Sequence, residues 1–209
     1  MAFVITVAQQ KGGTGKTTLA ANLATCLAGG RRVALLDIDP QRSLTRWFGV
    51  RSAREKPAAP LTLSDVSGWR LAAELQRLRQ EHDIVIIDTP PQIDTDARLA
   101  IRGADLVLIP IQPSEPDAWA AEGTLKLAAD EKRRAAIVFN RVPPSSKLRD
   151  TIAERLIGRG LPLLAVSLGN RTAFATAFAE GLGVTETVPR STAAAETRAL
   201  LDELMGLLR

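Results

Sequence analysis

The chain has 209 residues, 45% of them hydrophobic, a formal net charge of +4 and a single cysteine. Its length suits one domain with a substantial core, and no run of about 18 apolar residues predicts a membrane span. We recognise no secretory signal, and the lone Cys26 cannot form an internal disulfide. We therefore expect a single domain over residues 1–209 in a reducing cytoplasm.

A glycine-rich loop follows the first apolar run, Phe3–Ala8, and it reads Lys11-Gly12-Gly13-Thr14-Gly15-Lys16-Thr17-Thr18. A strand that leads through such a loop into a helix makes a phosphate cradle, because glycines admit the ligand close to the backbone and the helix N-terminus favours anions. Lys16 can reach the β- and γ-phosphates, and the Thr17 hydroxyl can bind Mg²⁺. The strict motif has glycine where Gln10 stands, so this loop is a variant that carries an additional lysine, Lys11.

Carboxylates follow two later apolar runs. Asp37 and Asp39 come after Val33–Leu36, and the alternation of an extended chain puts them on the same side. Two carboxylates would repel a triphosphate unless a cation or a water lies between them, which indicates Mg²⁺ and an attacking water. Asp88 ends the run Ile84–Ile87, the form of a Walker B site whose carboxylate holds Mg²⁺.

The order of apolar runs predicts the fold class. Runs of strand length recur without polar alternation, which is typical of strands covered on both faces. They are Phe3–Ala8, Val33–Leu36, Ile84–Ile87, Leu106–Ile111, Ala135–Phe139 and Leu163–Val166. Helical patterns lie between them, so we predict an α/β fold with a doubly wound, mostly parallel sheet, helices on both faces and ligands at the carboxyl ends of the strands.

Two further segments complete the predicted organisation. The Pro- and Ala-rich stretch Arg51–Pro60 indicates a surface loop. A C-terminal helix is marked by Leu200, Leu204 and Leu208, with Ser191 as its N-cap. The end of that helix carries one charge, Arg209, and favours packing on the core over membrane binding.

Together, the segments Lys11–Thr18, Asp37–Gln41 and Asp88–Pro91 resemble the ParA/MinD group of deviant-Walker ATPases. The resemblance runs through essentially the whole chain and is greatest to the small ParA partition ATPases without an N-terminal DNA-binding extension. It implies a three-layer αβα P-loop NTPase that binds ATP and Mg²⁺, forms a homodimer with ATP and binds DNA non-specifically. A ParB-like or other activating adaptor would stimulate slow ATP hydrolysis, which positions a plasmid, chromosome or protein cluster. The protein would be cytoplasmic and nucleoid-associated, with no integral membrane association.

The resemblance also implies residue roles. Lys11 would cross the dimer interface to the partner's phosphates, and Asp39 would position the attacking water. Asp37 would support Mg²⁺ and the switch segment, while Asn140 would contact adenine. The predicted catalytic residues are Lys11, Lys16 and Asp39; the nucleotide-binding residues are Gly12, Gly13, Thr14, Gly15, Lys16, Thr17, Thr18 and Asn140; and the metal ligands are Thr17, Asp37 and Asp88. The predicted DNA contacts are Arg171, Lys147, Arg149 and Arg198, through phosphates and without base readout.

Two alternative functions remain open at this level. One is a MinD-like positioning ATPase tethered to a membrane or a protein, and the other is a metabolic P-loop enzyme of the dethiobiotin-synthetase type. The single cysteine excludes an iron–sulfur carrier, and the absence of tyrosine excludes a tyrosine autokinase of the same superfamily.

Overall fold

The computed structural model describes residues 2–56, 58–92 and 94–207. Seven parallel strands form one sheet in the order β3-β2-β4-β1-β5-β6-β7. The strands are β1 (Phe3–Val7), β2 (Val33–Asp37), β3 (Thr62–Ser64), β4 (Ile84–Asp88), β5 (Leu106–Ile111), β6 (Arg134–Val142) and β7 (Leu163–Gly169). The helices are α1 (Lys16–Leu27), α2 (Ser43–Ser52), α3 (Leu71–Glu81), α4 (Thr95–Arg102), α5 (Glu115–Asp130), α6 (Lys147–Gly158), α7 (Thr172–Ala179), α8 (Val184–Thr187) and α9 (Thr192–Leu207), with a 3₁₀ turn at Gly68–Arg70.

Helices cover both faces of this sheet, as the unbroken apolar runs predict. Ile5 and Val7 of β1 pack with α1, α2 and α9 on one face. Val4 points to the other face, where it meets α3 and α4, and the β5 and β6 side chains on that face pack against α5 and α6. The predicted three-layer α/β architecture is therefore confirmed. All six predicted strands are present, whereas the short edge strand β3 was not predicted because three residues carry too little periodicity.

The predicted surface loop at Arg51–Pro60 was wrong at its first two residues. Helix α2 continues through Ser52, and the Arg51 side chain is buried, with an exposed fraction of 6% for the residue. The error has a physical cause, because the carboxylate that compensates Arg51 is Glu186, 135 residues away in the sequence.

The C-terminal helix agrees with its prediction over the described residues. The Ser191 hydroxyl accepts a hydrogen bond from the Ala194 N–H at 3.2 Å, which caps the start of α9. Leu200 and Leu204 are fully buried against the sheet. Leu208 and Arg209, which the sequence also places on this helix, lie outside the described residues. Within the described part of the chain, no helix is long and apolar enough to cross a bilayer.

Candidate functional site

The glycine-rich loop links the carboxyl end of β1 to the first residue of α1. Gly13 and Gly15 adopt φ values of +79° and +86°, a region that favours glycine. A Cβ atom at Gly15 would also lie 2.6 Å from Nδ2 of Asn140. The loop borders a cavity of about 270 Å³, which we call the phosphate cavity after the predicted phosphate-binding residues on its wall. It is lined by Gly12, Gly13, Gly15, Lys16, Thr17, Thr18, Asp39, Gln41, Ser43, Pro91, Arg141 and Phe178. The predicted phosphate-binding residues therefore share one cavity with Asp39, except for Thr14, which is fully buried and does not line it.

Lys16 is buried at the base of this cavity, with an exposed fraction of 7%. Its ammonium donates to the backbone oxygens of Gln9 at 3.2 Å and Lys11 at 3.4 Å. Burial lowers the pKa of Lys16, and the carboxylates of Asp88 and Asp39 oppose that effect. An anionic ligand in the cavity would further favour the charged ammonium, which is the behaviour required of a phosphate-binding lysine.

Asp88 lies at the end of β4, directly opposite Asp37 in the parallel register. It is fully buried, and neither carboxylate oxygen has a hydrogen-bond donor among the described residues. Burial raises the pKa of Asp88 to about 7. The Thr17 hydroxyl, which lies nearby without forming a hydrogen bond of normal geometry, and the Lys16 ammonium oppose the increase, while the carboxylates of Asp37 and Asp39 add to it. A buried carboxylate without donors, close to a threonine hydroxyl, fits a hard divalent cation such as Mg²⁺.

Asp37 and Asp39 have different surroundings. Asp37 is fully buried, and one carboxylate oxygen accepts bonds from the N–H and hydroxyl of Thr45, both at 2.8 Å. Its other oxygen accepts a bond from the Asp39 N–H at 3.1 Å. Asp39 accepts a bond from the Gln41 N–H at 2.9 Å and borders the phosphate cavity. Asp37 therefore ties the Asp39 segment to α2, and a direct role in binding Mg²⁺ stays a prediction.

Lys11 forms an ion pair with Asp117 of the same chain. Asp117 is fully buried near the start of α5 and also accepts hydrogen bonds from the Ser114 hydroxyl at 2.8 Å and the Gln112 N–H at 2.9 Å. The Lys11 side chain retains an exposed fraction of 40%. Sequence reasoning missed Asp117. Its spacing from Ser114 indicates a helix cap, which the structure contains, but nothing local indicates a partner for Lys11.

A second cavity, of about 470 Å³, adjoins the phosphate cavity, with Thr18, Arg141 and Phe178 lining both. Asn140 lies on its wall, where its amide donates to the Thr14 carbonyl at 2.8 Å and accepts a bond from the Arg141 N–H at 3.0 Å. Asn140 thus supports the phosphate loop and borders a space next to it, while contact with adenine stays a prediction. Sequence reasoning missed Arg141, whose guanidinium donates to the Gly13 carbonyl at 3.0 Å.

The four predicted DNA contacts differ in whether a carboxylate of the same chain pairs with their charge. Arg171 forms a two-point ion pair with Glu196, at 3.0 and 2.5 Å, and borders the second cavity. Arg149 pairs with Asp150, and Arg198 donates to the Pro189 carbonyl. Lys147 is exposed at the start of α6 and has no ion pair in the part of the chain that the structure describes. Arg198 is likewise exposed without an ion pair among the described residues, so Lys147 and Arg198 keep an uncompensated charge, and DNA contact by any of the four stays a prediction.

Comparison with known proteins gives consistent matches. The family model "CobQ/CobB/MinD/ParA nucleotide binding domain" matches residues 5–184. Maintenance of carboxysome distribution protein A of Halothiobacillus neapolitanus is 32% identical over 212 residues, covering 98% of this chain and 97% of that protein. Protein ParA of Rhizobium radiobacter is 35% identical over 187 residues, covering 85% and 83%. The solved septum site-determining protein MinD of Pyrococcus horikoshii, complexed with Mg-ADP, has a TM-score of 0.79 over 100% of this chain and 98% of its own, at 18% identity, which supports the fold.

Proposed function

The chain belongs to the CobQ/CobB/MinD/ParA nucleotide-binding family, and we propose that it is a single-domain ParA-type ATPase. It binds ATP and Mg²⁺, dimerises, associates non-specifically with DNA and hydrolyses ATP slowly to position a cargo. The observation that carries this proposal is the second lysine of the phosphate loop. Lys16 already lines the phosphate cavity, so Lys11, whose side chain stays partly exposed in its ion pair with Asp117, can serve a partner's nucleotide once that pair opens.

Each residue of the phosphate cavity has its own role in the proposed hydrolysis. Lys16 and the glycine loop hold the phosphates, and Asp39 orients the water that attacks the γ-phosphorus. The bond to the β-phosphate oxygen then breaks, which leaves ADP and phosphate. Thr17 and Asp88 would hold Mg²⁺, which when bound neutralises phosphate charge. Asp37 keeps Asp39 in place, because its carboxylate accepts the Asp39 N–H and is itself held by the N–H and hydroxyl of Thr45.

Dimer formation and DNA binding complete the proposed cycle. Two subunits meet at the carboxyl edges of their sheets, where the phosphate loops lie, and each Lys11 leaves Asp117 for the partner's ATP. Lys147 and neighbouring basic side chains then contact DNA phosphates, so binding weakens steeply with salt. The full-length similarity to a carboxysome distribution protein supports intracellular positioning as the task. An activating adaptor and nucleoid association belong to the same proposal.

Steady-state ATP hydrolysis tests the enzymatic part of the proposal. We expect production of ADP and phosphate that requires Mg²⁺ and is lost in Lys16→Ala. Lys126→Ala is the matched control, because Lys126 is an exposed lysine on α5 away from both cavities. Turnover that persists in Lys16→Ala would contradict the assigned site, and failure of the wild-type protein to bind ATP would contradict the function.

A further inference from the structure

A buried arginine outside the nucleotide cavities joins three separate parts of the chain. The guanidinium of Arg51 donates to both carboxylate oxygens of Glu186, at 2.9 and 2.7 Å. It also donates to the backbone oxygens of Gly181 at 3.1 Å and Ala59 at 2.6 Å. The proposed hydrolysis uses none of these contacts directly. A buried ion pair adds little to stability, because desolvation offsets the attraction between its charges. The elements that this pair connects are therefore its more informative property.

Arg51 connects first to the segment that carries Asp39. It lies on α2, whose first turn is bound to Asp37 through Thr45. Trp47 stands one helical turn before Arg51, and the guanidinium lies 5.6 Å from the centre of its indole ring. A shift of α2 would therefore move Trp47, Arg51 and the Asp39 segment together.

Arg51 and Trp47 contact the end of α7 and the turn and helix that follow it, and α7 forms part of the wall of both cavities. Trp47 stacks on Phe178 of α7, with ring centres 6.1 Å apart, and its indole N–H donates to the Leu182 carbonyl at 3.4 Å. Phe178 borders both cavities. The turn after α7 packs tightly on α2, because a Cβ atom at Gly181 would lie 2.4 Å from the backbone nitrogen of Arg51. Glu186 also accepts a bond from the Gly183 N–H at 3.0 Å, which fixes the start of α8.

We infer that Arg51, through its ion pair with Glu186, is a positioning residue that couples the Asp39 segment to α8 and the preceding turn, and through that turn to the α7 wall of the nucleotide site. Occupation of the cavity beside Phe178 then sets the position of α2 and, through Thr45 and Asp37, that of Asp39. This inference rests on the proposed ATPase function and adds to it a contact that positions Asp39. The coupling is carried by named contacts between α2 and α7–α8, which can be broken without touching the phosphate loop.

Substitution of the pair tests the coupling. We expect Arg51→Met to lower kcat about tenfold and to raise the KM for ATP several-fold, because both connected parts lose their fixed position. Arg51→Met/Glu186→Leu should be no worse than either single variant, since each removes the same interaction. The double variant should also fold if Arg51→Met alone does not, because an apolar pair leaves no uncompensated buried charge. Arg102→Met is the matched control, because it breaks an exposed two-point ion pair with Glu131 away from both cavities, and it should keep the wild-type kcat and KM.

A fluorescence signal separates positioning from stability. In a Trp69→Phe/Trp119→Phe background, Trp47 is the remaining tryptophan, and its emission should change when ATP binds. Arg51→Met should abolish that change at saturating ATP while circular dichroism shows a folded protein. Wild-type kcat, KM and Trp47 response in folded Arg51→Met would overturn the inference and leave the ATPase function intact. A wild-type protein that neither binds nor hydrolyses ATP would overturn both.

Discussion

The ammonium of Lys11 pairs with the buried carboxylate of Asp117 in the same chain. The lysine that we propose to act across a dimer interface is thus held by its own subunit in this conformation. Ser114 and Gln112 also donate to Asp117, so the carboxylate keeps two donors when Lys11 leaves. Dimerisation therefore becomes an exchange of one anionic partner of Lys11 for another.

Removal of Lys11 should have two separable effects. Lys11→Ala should lower the free energy of unfolding by about 1–3 kcal/mol, because it leaves a buried carboxylate with weaker compensation. The variant should still bind ATP through Lys16 but fail to form the ATP dimer. Urea unfolding and light scattering with ATP measure the two effects.

The double variant Lys11→Ala/Asp117→Asn distinguishes those effects. It removes the uncompensated charge, so stability should return towards the wild-type value while dimerisation stays absent. An ATP dimer of normal mass in either variant would contradict the proposed crossing of Lys11.

The phosphate loop should tolerate a methyl group at one glycine and not at another. Gly15→Ala combines a positive φ with a close approach to Asn140, and we expect it to abolish ATP binding. Gly12→Ala is the control, because no atom lies within 4 Å of its Cβ position and its φ is not in the positive range. Calorimetric titration with ATP compares the two, and equal affinities would show that the loop geometry is wrong.

Asp88 should give the metal-free protein a specific pH dependence. Because its pKa is raised to about 7, the folded protein binds this proton more tightly than the unfolded chain does. The destabilisation caused by the charged carboxylate is thus absent below about pH 4, grows between about pH 4 and 7 and is complete above that range. Asp88→Asn should raise the free energy of unfolding by up to about 4 kcal/mol at alkaline pH and have little effect near pH 4.

Urea unfolding in the presence of a chelator measures this difference between wild type and Asp88→Asn at each pH. The same variant should lose Mg²⁺-dependent hydrolysis, because the amide is a poorer cation ligand. A variant that is less stable than the wild type at alkaline pH would show that the carboxylate is satisfied in the folded state.

Asp39 should matter for turnover and not for binding. Asp39→Ala should bind ATP and dimerise but lose hydrolysis by at least about a hundredfold, since water is no longer oriented at the γ-phosphate. Asp150→Ala, which removes an exposed carboxylate on α6, should keep the wild-type rate. Normal hydrolysis by Asp39→Ala would remove this residue from the mechanism.

The sequence predicts the parts of the site that follow directly from strand ends. The phosphate loop after β1 and the carboxylates after β2 and β4 meet because parallel strands bring their carboxyl ends to one edge. Asp117 and Arg51 could not be found this way. Their partners Lys11 and Glu186 lie 106 and 135 residues away, and nothing in the local pattern marks such a pairing. For the same reason, the sequence alone presents Arg171 as an unpaired cation, whereas in the fold its guanidinium pairs with Glu196.

The most direct test of the proposed function is the binding of Asp39→Ala to random-sequence duplex DNA, with ATP and with ADP, while light scattering follows the mass. We predict a doubled mass and DNA binding with ATP only, and an affinity that falls steeply as salt rises. Lys147→Ala in the same background should reduce the slope of that salt dependence by about one. A monomer with every nucleotide, or a dimer that does not bind DNA, would contradict a DNA-bound positioning ATPase.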